Sequence, residues 1–97
     1  MADDLLARLQ DWYVANCDGD WENQYGITIE SLDNPGWRMT IDLHGTALEG
    51  REFDGVEIMR NLHDWLDCHV QDKKFVAGCG PRNLHELLTT FLDWAKA

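Results

Sequence analysis

The chain has 97 residues, a length suited to one domain with its own core and no need of a metal or disulfides. Hydrophobic residues make up 44% and charged residues 27%, a balance typical of globular chains and not of disordered ones. The formal net charge of −10 disfavours binding to nucleic acid or to anionic membranes, and it favours a basic partner. Simple solubility is the alternative explanation of this charge.

The cysteines and the N-terminal residues indicate the cellular compartment of the protein. Cys17, Cys68 and Cys79 form an odd set without CxxC spacing, which argues against a disulfide framework and favours a reducing compartment. The start of the chain lacks a basic region, and no apolar run approaches membrane-spanning length. We therefore predict a cytoplasmic protein with no signal peptide and no transmembrane segment.

Two amphipathic helices are predicted, one near each end of the chain. The first covers residues 4–17, where the apolar positions share one stripe: Leu5, Leu6, Leu9, Trp12 and Tyr13. The last helix follows a capping-box pattern, with Asn83 as its N-cap and Glu86 three positions later. Its apolar stripe is Leu84, Leu87, Leu88, Phe91, Leu92 and Ala95.

Alternation of apolar and polar residues predicts about five strands between the helices. They cover residues 25–32, 37–43, 53–60, 64–70 and 75–79. Close spacing and short turns favour an antiparallel meander. Because both helices must bury an apolar face, we expect them to pack on one side of the sheet. The predicted fold is a single α+β domain over residues 1–97.

The turn between the first two strands, Asp33-Asn34-Pro35-Gly36, has a predictable register. For the isoleucines of both strands to share a face, the numbers of paired residues must add up to an even value. A two-residue loop of Pro35 and Gly36 gives an odd sum and would turn one apolar set towards water. We therefore predict a bulge or a longer loop at this turn.

An acidic stretch, Asp18-Gly19-Asp20-Trp21-Glu22, follows the first helix. An EF-hand beginning at Asp18 would need Gly at its sixth position and Glu at its twelfth, but Asn23 and Ile29 stand there. Two interpretations are left. The carboxylates bond to nearby backbone amides, or they form a contact surface around an exposed Trp21. In the first case, Trp21 folds back over the sheet edge.

The thiols and imidazoles offer little sign of catalysis. Cys79 lies between two glycines just before a helix and is the one thiol that we consider a candidate nucleophile. Cys68 shares the apolar strand face, so it should be a buried, inert thiol on the face opposite His69. The histidines show no zinc-type spacing. We predict no catalytic residue, no metal ligand and no cofactor.

Two patches are predicted to contact a partner protein. The first is the acidic turn, and the second lies on the sheet face opposite the apolar set, since Trp65 is out of phase with Leu66. These expectations follow from position and chemistry. The predicted contact residues are Asp18, Asp20, Trp21, Glu22 and Tyr25, with Trp65 and Asp67 as the second patch.

Several strings of this sequence resemble the immunity protein 53 family of bacterial polymorphic toxin systems. They are Trp12-Tyr13, Cys17-Asp18-Gly19-Asp20-Trp21-Glu22, Tyr25-Gly26-Ile27, Leu32-Asp33-Asn34-Pro35-Gly36-Trp37, Asn83-Leu84 and Phe91-Leu92-Asp93-Trp94-Ala95. The resemblance spans nearly the whole chain and is densest over residues 12–43. The middle of the chain, about residues 44–80, is less distinctive.

The resemblance implies a protein that binds the toxin domain of a secreted toxin and blocks it inside the producing cell or its kin. It brings no catalytic residues with it. The acidic charge agrees with a basic nuclease as the toxin, although another toxin class stays open. Exposed strand edges are compatible with a monomer or a homodimer. The competing hypotheses are a small sulfur-transfer enzyme that uses Cys79 and a generic protein-interaction module.

Overall fold

A computed structural model describes residues 4–96 of the chain. The helices are α1, Leu5–Asn16, the short α2, Trp21–Gln24, and α3, Leu84–Lys96. The strands are β1, Ile27–Leu32; β2, Gly36–Asp42; β3, Val56–Asn61; β4, Asp64–Gln71; and β5, Lys74–Cys79. The predicted single α+β arrangement of five antiparallel strands and two flanking helices is confirmed.

The two long helices form as predicted, but α1 buries only part of its predicted stripe, since Leu6 is 64% exposed and Tyr13 is also exposed. Asp4 precedes α1, and its Oδ1 accepts a hydrogen bond of 3.1 Å from the backbone N–H of Ala7, which caps the helix. Leu5 and Leu9 are the buried residues of α1. The buried residues of α3 are Leu87, Leu88, Phe91 and Leu92. Helix α3 packs on β4 and β5, and α1 packs against α3.

The turn between β1 and β2 is longer than a two-residue hairpin, as the register argument requires. Ile27 pairs with Ile41 and Leu32 pairs with Gly36, so the paired numbers have an even sum. Asp33, Asn34 and Pro35 therefore form a three-residue connection. The prediction of a bulge or longer loop is confirmed, and Ile27 keeps the same face as the buried Ile41.

The strand order departs from the predicted meander. The order is β1-β2-β5-β4-β3, so only β3, β4 and β5 follow one another as a meander. Strand β2 pairs with β5 and not with β3, because a long connection over residues 43–55 carries the chain to the far edge of the sheet. Leu43 and Leu48, at the start of this connection, are 1% exposed and bury it in the core. Short turns predict hairpins, but they do not predict which hairpins pair with each other in the sheet.

The sheet has one covered and one open face. The covered face carries the buried hydrophobic strand residues, which form one core with α1 and α3: Met39, Ile41, Leu66, Cys68, Phe75, Ala77 and Cys79. Strand alternation places Trp65, Asp67 and His69 on the opposite face. No helix of the described residues packs on that open face, so its side chains are available to a partner.

Candidate functional site

The register aligns the open-face residues in rows across the strands. One row runs Leu32, Gly36, Gly80, Trp65 and Met59, since each residue stands beside the next in the sheet. The next row runs Glu30, Arg38, Gly78, Asp67 and Glu57. The first row consists of apolar side chains and glycines. The second consists of charged side chains on either side of a central glycine. The two rows together form the candidate site.

Trp65 lies across the sheet in the space that two glycines leave open. A Cβ at Gly78 would lie 3.3 Å from Cη2 and from Cζ3 of Trp65. A Cβ at Gly36, one strand further, would lie 3.5 Å from Cζ2 of the same ring. Such a Cβ at Gly36 would also lie 2.4 Å from the carbonyl oxygen of Cys79. This is a clash with backbone, which cannot be relieved by a change of side-chain rotamer. The ring is thus held along the sheet surface and is half-buried.

Apolar side chains extend this surface towards the β3–β4 hairpin. Met59 is directly opposite Trp65 in the register and is 71% exposed. Leu62, at the tip of the same hairpin, is 82% exposed, the highest value among the exposed large hydrophobic residues of the described chain. Exposed apolar groups next to a half-buried tryptophan are typical of protein-interaction surfaces.

Charged side chains occupy the row next to that of Trp65 on the open face. Asp67 and Glu57 are direct cross-strand partners, and both are exposed. The contact described for Asp67 is with His69, whose Nδ1 lies 3.9 Å from the carboxylate oxygen. On the other side of Gly78, Glu30 pairs with Arg38 in the register. The charged row beside the ring therefore holds Glu30, Asp67 and Glu57 with Arg38, which stands next to Gly78 on the side towards which the ring extends.

The other end of the open face is a polar depression. A cavity of about 360 Å³ is lined by Arg38, Thr40, Gln71, Asp72, Lys74 and Val76. A second cavity of about 180 Å³ adjoins it, since both share Thr40 and Lys74, and Tyr25 lines it. The Tyr25 ring also lies 4.8 Å from the ring of His44. Tyr25, Trp65 and Asp67 of the predicted contact residues thus border the same face.

Asn83 fixes the backbone beside Trp65. Its Oδ1 accepts a hydrogen bond of 3.3 Å from the Trp65 backbone N–H, and its Nδ2 donates to Asp64 at 2.9 Å and to Glu86 at 3.2 Å. Arg60 pairs with both of these carboxylates at 2.8 Å. The hydrogen bond from Arg60 lowers the pKa of Glu86, and the one from Asn83 lowers the pKa of Asp64.

This network ties β4 to the start of α3 and was not foreseen as part of the site. The capping-box spacing of Asn83 and Glu86 was the signal, and it correctly places Asn83 immediately before the helix. The additional bond to Trp65 could not be predicted because it joins residues 18 positions apart. Asn83 is 8% exposed, so its polar atoms need these partners.

The carboxylates of the acidic turn accept hydrogen bonds from nearby backbone N–H groups. Asp18 Oδ1 accepts hydrogen bonds from the N–H groups of Asp20 and Trp21, at 2.9 and 3.0 Å. The two oxygens of Glu22 accept from the N–H groups of Asp18 and Gly19, each at 2.9 Å. The bonds from the Trp21 and Asp20 backbone also lower the pKa of Asp18. This arrangement corresponds to the interpretation in which carboxylates bond to local amides.

Of the two interpretations of Trp21, the exposed one is wrong. Trp21 is 4% exposed, and its ring lies edge-on to those of Trp12 and Tyr13, at centroid distances of 5.7 and 5.8 Å. It packs against α1, and its backbone N–H donates to Asp18 Oδ1 at the start of the short helix α2. Asp18 and Asp20 stay exposed, and Glu22 is half-buried. Partner contacts by this turn remain a prediction, without the aromatic anchor.

The structure argues against Cys79 as a nucleophile. Cys79 is fully buried on the covered face of the sheet, and burial raises the pKa of its thiol to about 11. Burial likewise raises the pKa of Cys68 to about 12, and Cys68 and His69 lie on opposite faces as predicted. A nucleophilic cysteine needs an accessible thiolate, which neither position provides. The Gly-Cys-Gly sequence reflects close packing at the end of β5.

The described residues offer neither a metal site nor a membrane-spanning helix. Within residues 4–96, no three His, Cys, Asp or Glu side chains are grouped so that they could hold a metal ion. In the same range, no helix combines the length and the apolarity needed to cross a bilayer.

Comparison with known proteins gives one match. No curated protein and no solved structure matches this chain. The model of the family described as Immunity protein 53 matches residues 6–96, a span that takes in both long helices and all five strands. The strings that carry the resemblance, around the acidic turn and the β1–β2 hairpin, lie inside the matched span. The chain therefore belongs to the Immunity protein 53 family.

Proposed function

We propose that this protein binds the toxin domain of a bacterial polymorphic toxin system and neutralises it by stoichiometric occlusion. The observation that carries the proposal is the family match over residues 6–96. A protein that acts by occlusion needs a rigid, accessible surface and no reactive group. The site of action would be the cytoplasm of the producing cell.

The open face of the sheet is the proposed contact surface. It offers a half-buried tryptophan, exposed apolar neighbours at Met59 and Leu62, and a border of charged side chains. Tryptophan at the centre of such a patch is the kind of residue on which binding energy concentrates. Trp65 and Asp67 would form the centre, with Tyr25 at the far end of the face.

Electrostatic attraction would assist the encounter with a basic toxin, of which nucleases with cationic clefts are one class. The chain carries a net charge of −10, which raises the association rate with a positively charged partner at low salt. The exposed acids Asp18 and Asp20 would add to this field even though Asp18 also holds the turn. Steering of this kind acts over the Debye length and weakens as salt is added.

Co-expression with the toxin tests the function. The chain is produced in cells together with the C-terminal domain of the large secreted protein encoded by the neighbouring gene, and growth is followed. We expect the chain to restore growth, and the purified pair to migrate as a 1:1 complex in size-exclusion chromatography with light scattering. A toxin domain that kills equally with and without the chain, and forms no complex with it, would overturn the proposal.

Variants of the open face locate the surface. Trp65→Ala combined with Asp67→Lys should abolish protection, since it removes the aromatic centre and reverses a bordering charge. A matched pair on α1, Val14→Ala with Asp11→Lys, changes one exposed apolar and one exposed acidic residue elsewhere and should leave protection intact. Loss of protection with the α1 pair alone would move the contact surface to the helices.

A further inference from the structure

We propose that the polar cavity over β2 and β5 binds a carboxylate of the partner, supplied by one of its aspartate or glutamate side chains. This inference rests on the toxin-binding function and names a chemical group that the open face recognises. Two exposed cations, Arg38 and Lys74, line this cavity, which has a volume of about 360 Å³. They are the groups that would hold the carboxylate.

The two cations of the cavity have no partner of their own. The chain has eight lysines and arginines. Five of them bond to a carboxylate or a backbone carbonyl: Arg8, Arg51, Arg60, Lys73 and Lys96. Within residues 4–96, the side chains of Arg38, Lys74 and Arg82 make no ion pair or hydrogen bond. Two of these three line one cavity, so the unpaired positive charge of an acidic chain is concentrated there.

The rest of the cavity also suits a carboxylate. Thr40 and Val76 are direct partners in the register and are half-buried, so they form its floor. In the described part of the chain, the Thr40 hydroxyl and the Gln71 side-chain amide make no hydrogen bond, which leaves both able to donate. A guanidinium presents its donors in a fixed fork that matches a carboxylate, and an ammonium adds a point charge.

Carboxylates of the chain itself limit which anion the cavity accepts. Asp72 lines it. The register sets Glu30 beside Arg38 and also sets Asp42 beside Lys74. None of these acids forms an ion pair with either cation within residues 4–96, and Asp42 accepts a backbone N–H at 2.9 Å instead. Their charge would repel a phosphate, which is more negative than a carboxylate, and the net charge of −10 would repel a nucleic acid.

A second copy of the chain is a poorer occupant than another protein. Each chain carries −10, so two copies repel each other. A basic toxin would instead be drawn to the acidic chain, and an acidic side chain on its surface would meet the cavity in one orientation of the complex. Charged contacts of this kind fix the register of an interface and favour the correct partner.

A short peptide tests the cavity without the toxin. Acetyl-Gly-Glu-Gly-amide is titrated into the ¹⁵N-labelled protein at low salt, and the backbone N–H signals of Thr40 and Val76 are followed by NMR. We expect both signals to shift, and the same peptide with Gln in place of Glu to leave them in place. In the variant Arg38→Gln with Lys74→Gln, the glutamate peptide should no longer shift them.

The toxin complex tests whether the carboxylate comes from the partner. Arg38→Gln with Lys74→Gln should weaken toxin binding about tenfold, the scale of two ion pairs at a surface. Each Asp and Glu of the toxin domain is then replaced in turn by its amide. We expect one replacement to weaken binding to the wild-type chain about tenfold and to change binding to the variant little. Arg82→Gln with Lys96→Gln removes the same charge outside the cavity and should change affinity less than about twofold.

The outcomes separate this inference from the function on which it rests. Equal shifts with the Glu and Gln peptides, or equal weakening by both pairs of substitutions, would overturn the carboxylate site. Signals that move with protein concentration alone would also overturn it, with a second copy as the occupant. If the toxin binds the wild type and the Arg38→Gln, Lys74→Gln variant equally well, the site is wrong and the function stands. If the glutamate peptide binds in the cavity but the toxin does not bind at all, the chemistry stands and the proposed function fails.

Discussion

The indole of Trp65 occupies the space above Gly78 that a side chain at that position would fill. The two residues belong to neighbouring strands, and a Cβ at Gly78 would lie 3.3 Å from the ring, tighter than ordinary van der Waals contact. The glycine is therefore needed for the ring position. Its backbone torsion φ lies outside the left-handed region, so a larger residue there would strain the ring and not the backbone.

Gly78→Val should separate folding from binding. Valine suits a strand, so we expect the fold to persist, while its methyl groups force Trp65 off the sheet. Affinity for the toxin domain should fall about tenfold, as for a displaced interface anchor. Calorimetry measures the affinity, and circular dichroism checks the fold. Val76→Thr, a similar-sized change on the same strand face, should have little effect on either. Unchanged affinity in Gly78→Val would mean that the ring position does not matter for binding.

Trp21 and Trp65 should respond in opposite ways to truncation. Trp21 is buried, so Trp21→Ala should lower the free energy of unfolding by about 3–5 kcal/mol. Trp65 is half-buried, so Trp65→Ala should cost roughly half as much or less, while it removes toxin binding. Urea denaturation measures both. The milder Trp21→Phe should fold and retain toxin affinity. Loss of affinity in Trp21→Phe with full stability would restore the acidic turn as the contact surface.

Thiol labelling should distinguish Cys17 from the other cysteines. Cys17 is partly exposed, whereas Cys68 and Cys79 are buried, with pKa values raised by burial to about 12 and 11. At neutral pH, we expect one thiol per native chain to react with iodoacetamide and all three to react in denaturant, as counted by mass spectrometry. Cys17→Ser should reduce the native count to none. Fast alkylation of Cys79 in that variant would revive the thiol-enzyme hypothesis.

The Arg60 network should make stability depend on acid pH. The Arg60 hydrogen bond lowers the folded-state pKa of Glu86 below its ordinary value of 4.5, and the Asn83 bond lowers that of Asp64 below 3.8. A lowered folded-state pKa means that the stabilisation is present above the unfolded value and is lost as pH falls through the folded one. The loss should therefore begin below about pH 5 and grow towards pH 3.

Glu86→Gln measures this contribution. The variant should be less stable than the wild type at pH 7, and the difference should shrink as the pH is lowered to 3, in urea titrations at each pH. Thr89→Ala changes a residue of the same helix that does not titrate, so its effect should be constant over this range. A Glu86→Gln difference that is the same at pH 3 and at pH 7 would show that Arg60 does not hold Glu86 as described.

Local patterns predicted much of this molecule. Periodicity located both long helices, alternation placed Trp65 and Cys68 on opposite faces, and parity of the paired residue numbers required a longer turn at Pro35. Each of these inferences uses residues that are near in sequence, where backbone geometry dictates which side chains share a face. Local sequence is sufficient for such features.

Features that depend on contacts between distant residues escaped prediction. The sequence left open whether Trp21 is exposed or folded back, because its burial depends on Trp12 and Tyr13 of α1 being in place. The fit of Trp65 over Gly78 and Gly36 depends on β5 lying between β4 and β2. Periodicity within a strand does not reveal that order, because the order is a relation between strands that are distant in sequence.

The position of β5 also determines when the protein can act. Because β5 joins the β1–β2 hairpin to the β3–β4 hairpin, the two halves of the sheet have no shared strand until residues 74–79 have been synthesised. The surface on which Trp65 lies does not exist before then, since Gly78 forms its floor. Such non-local pairing slows folding compared with a simple meander. If the proposed function is right, a nascent chain would therefore give no partial protection, and protection would begin only when nearly the whole domain has been made.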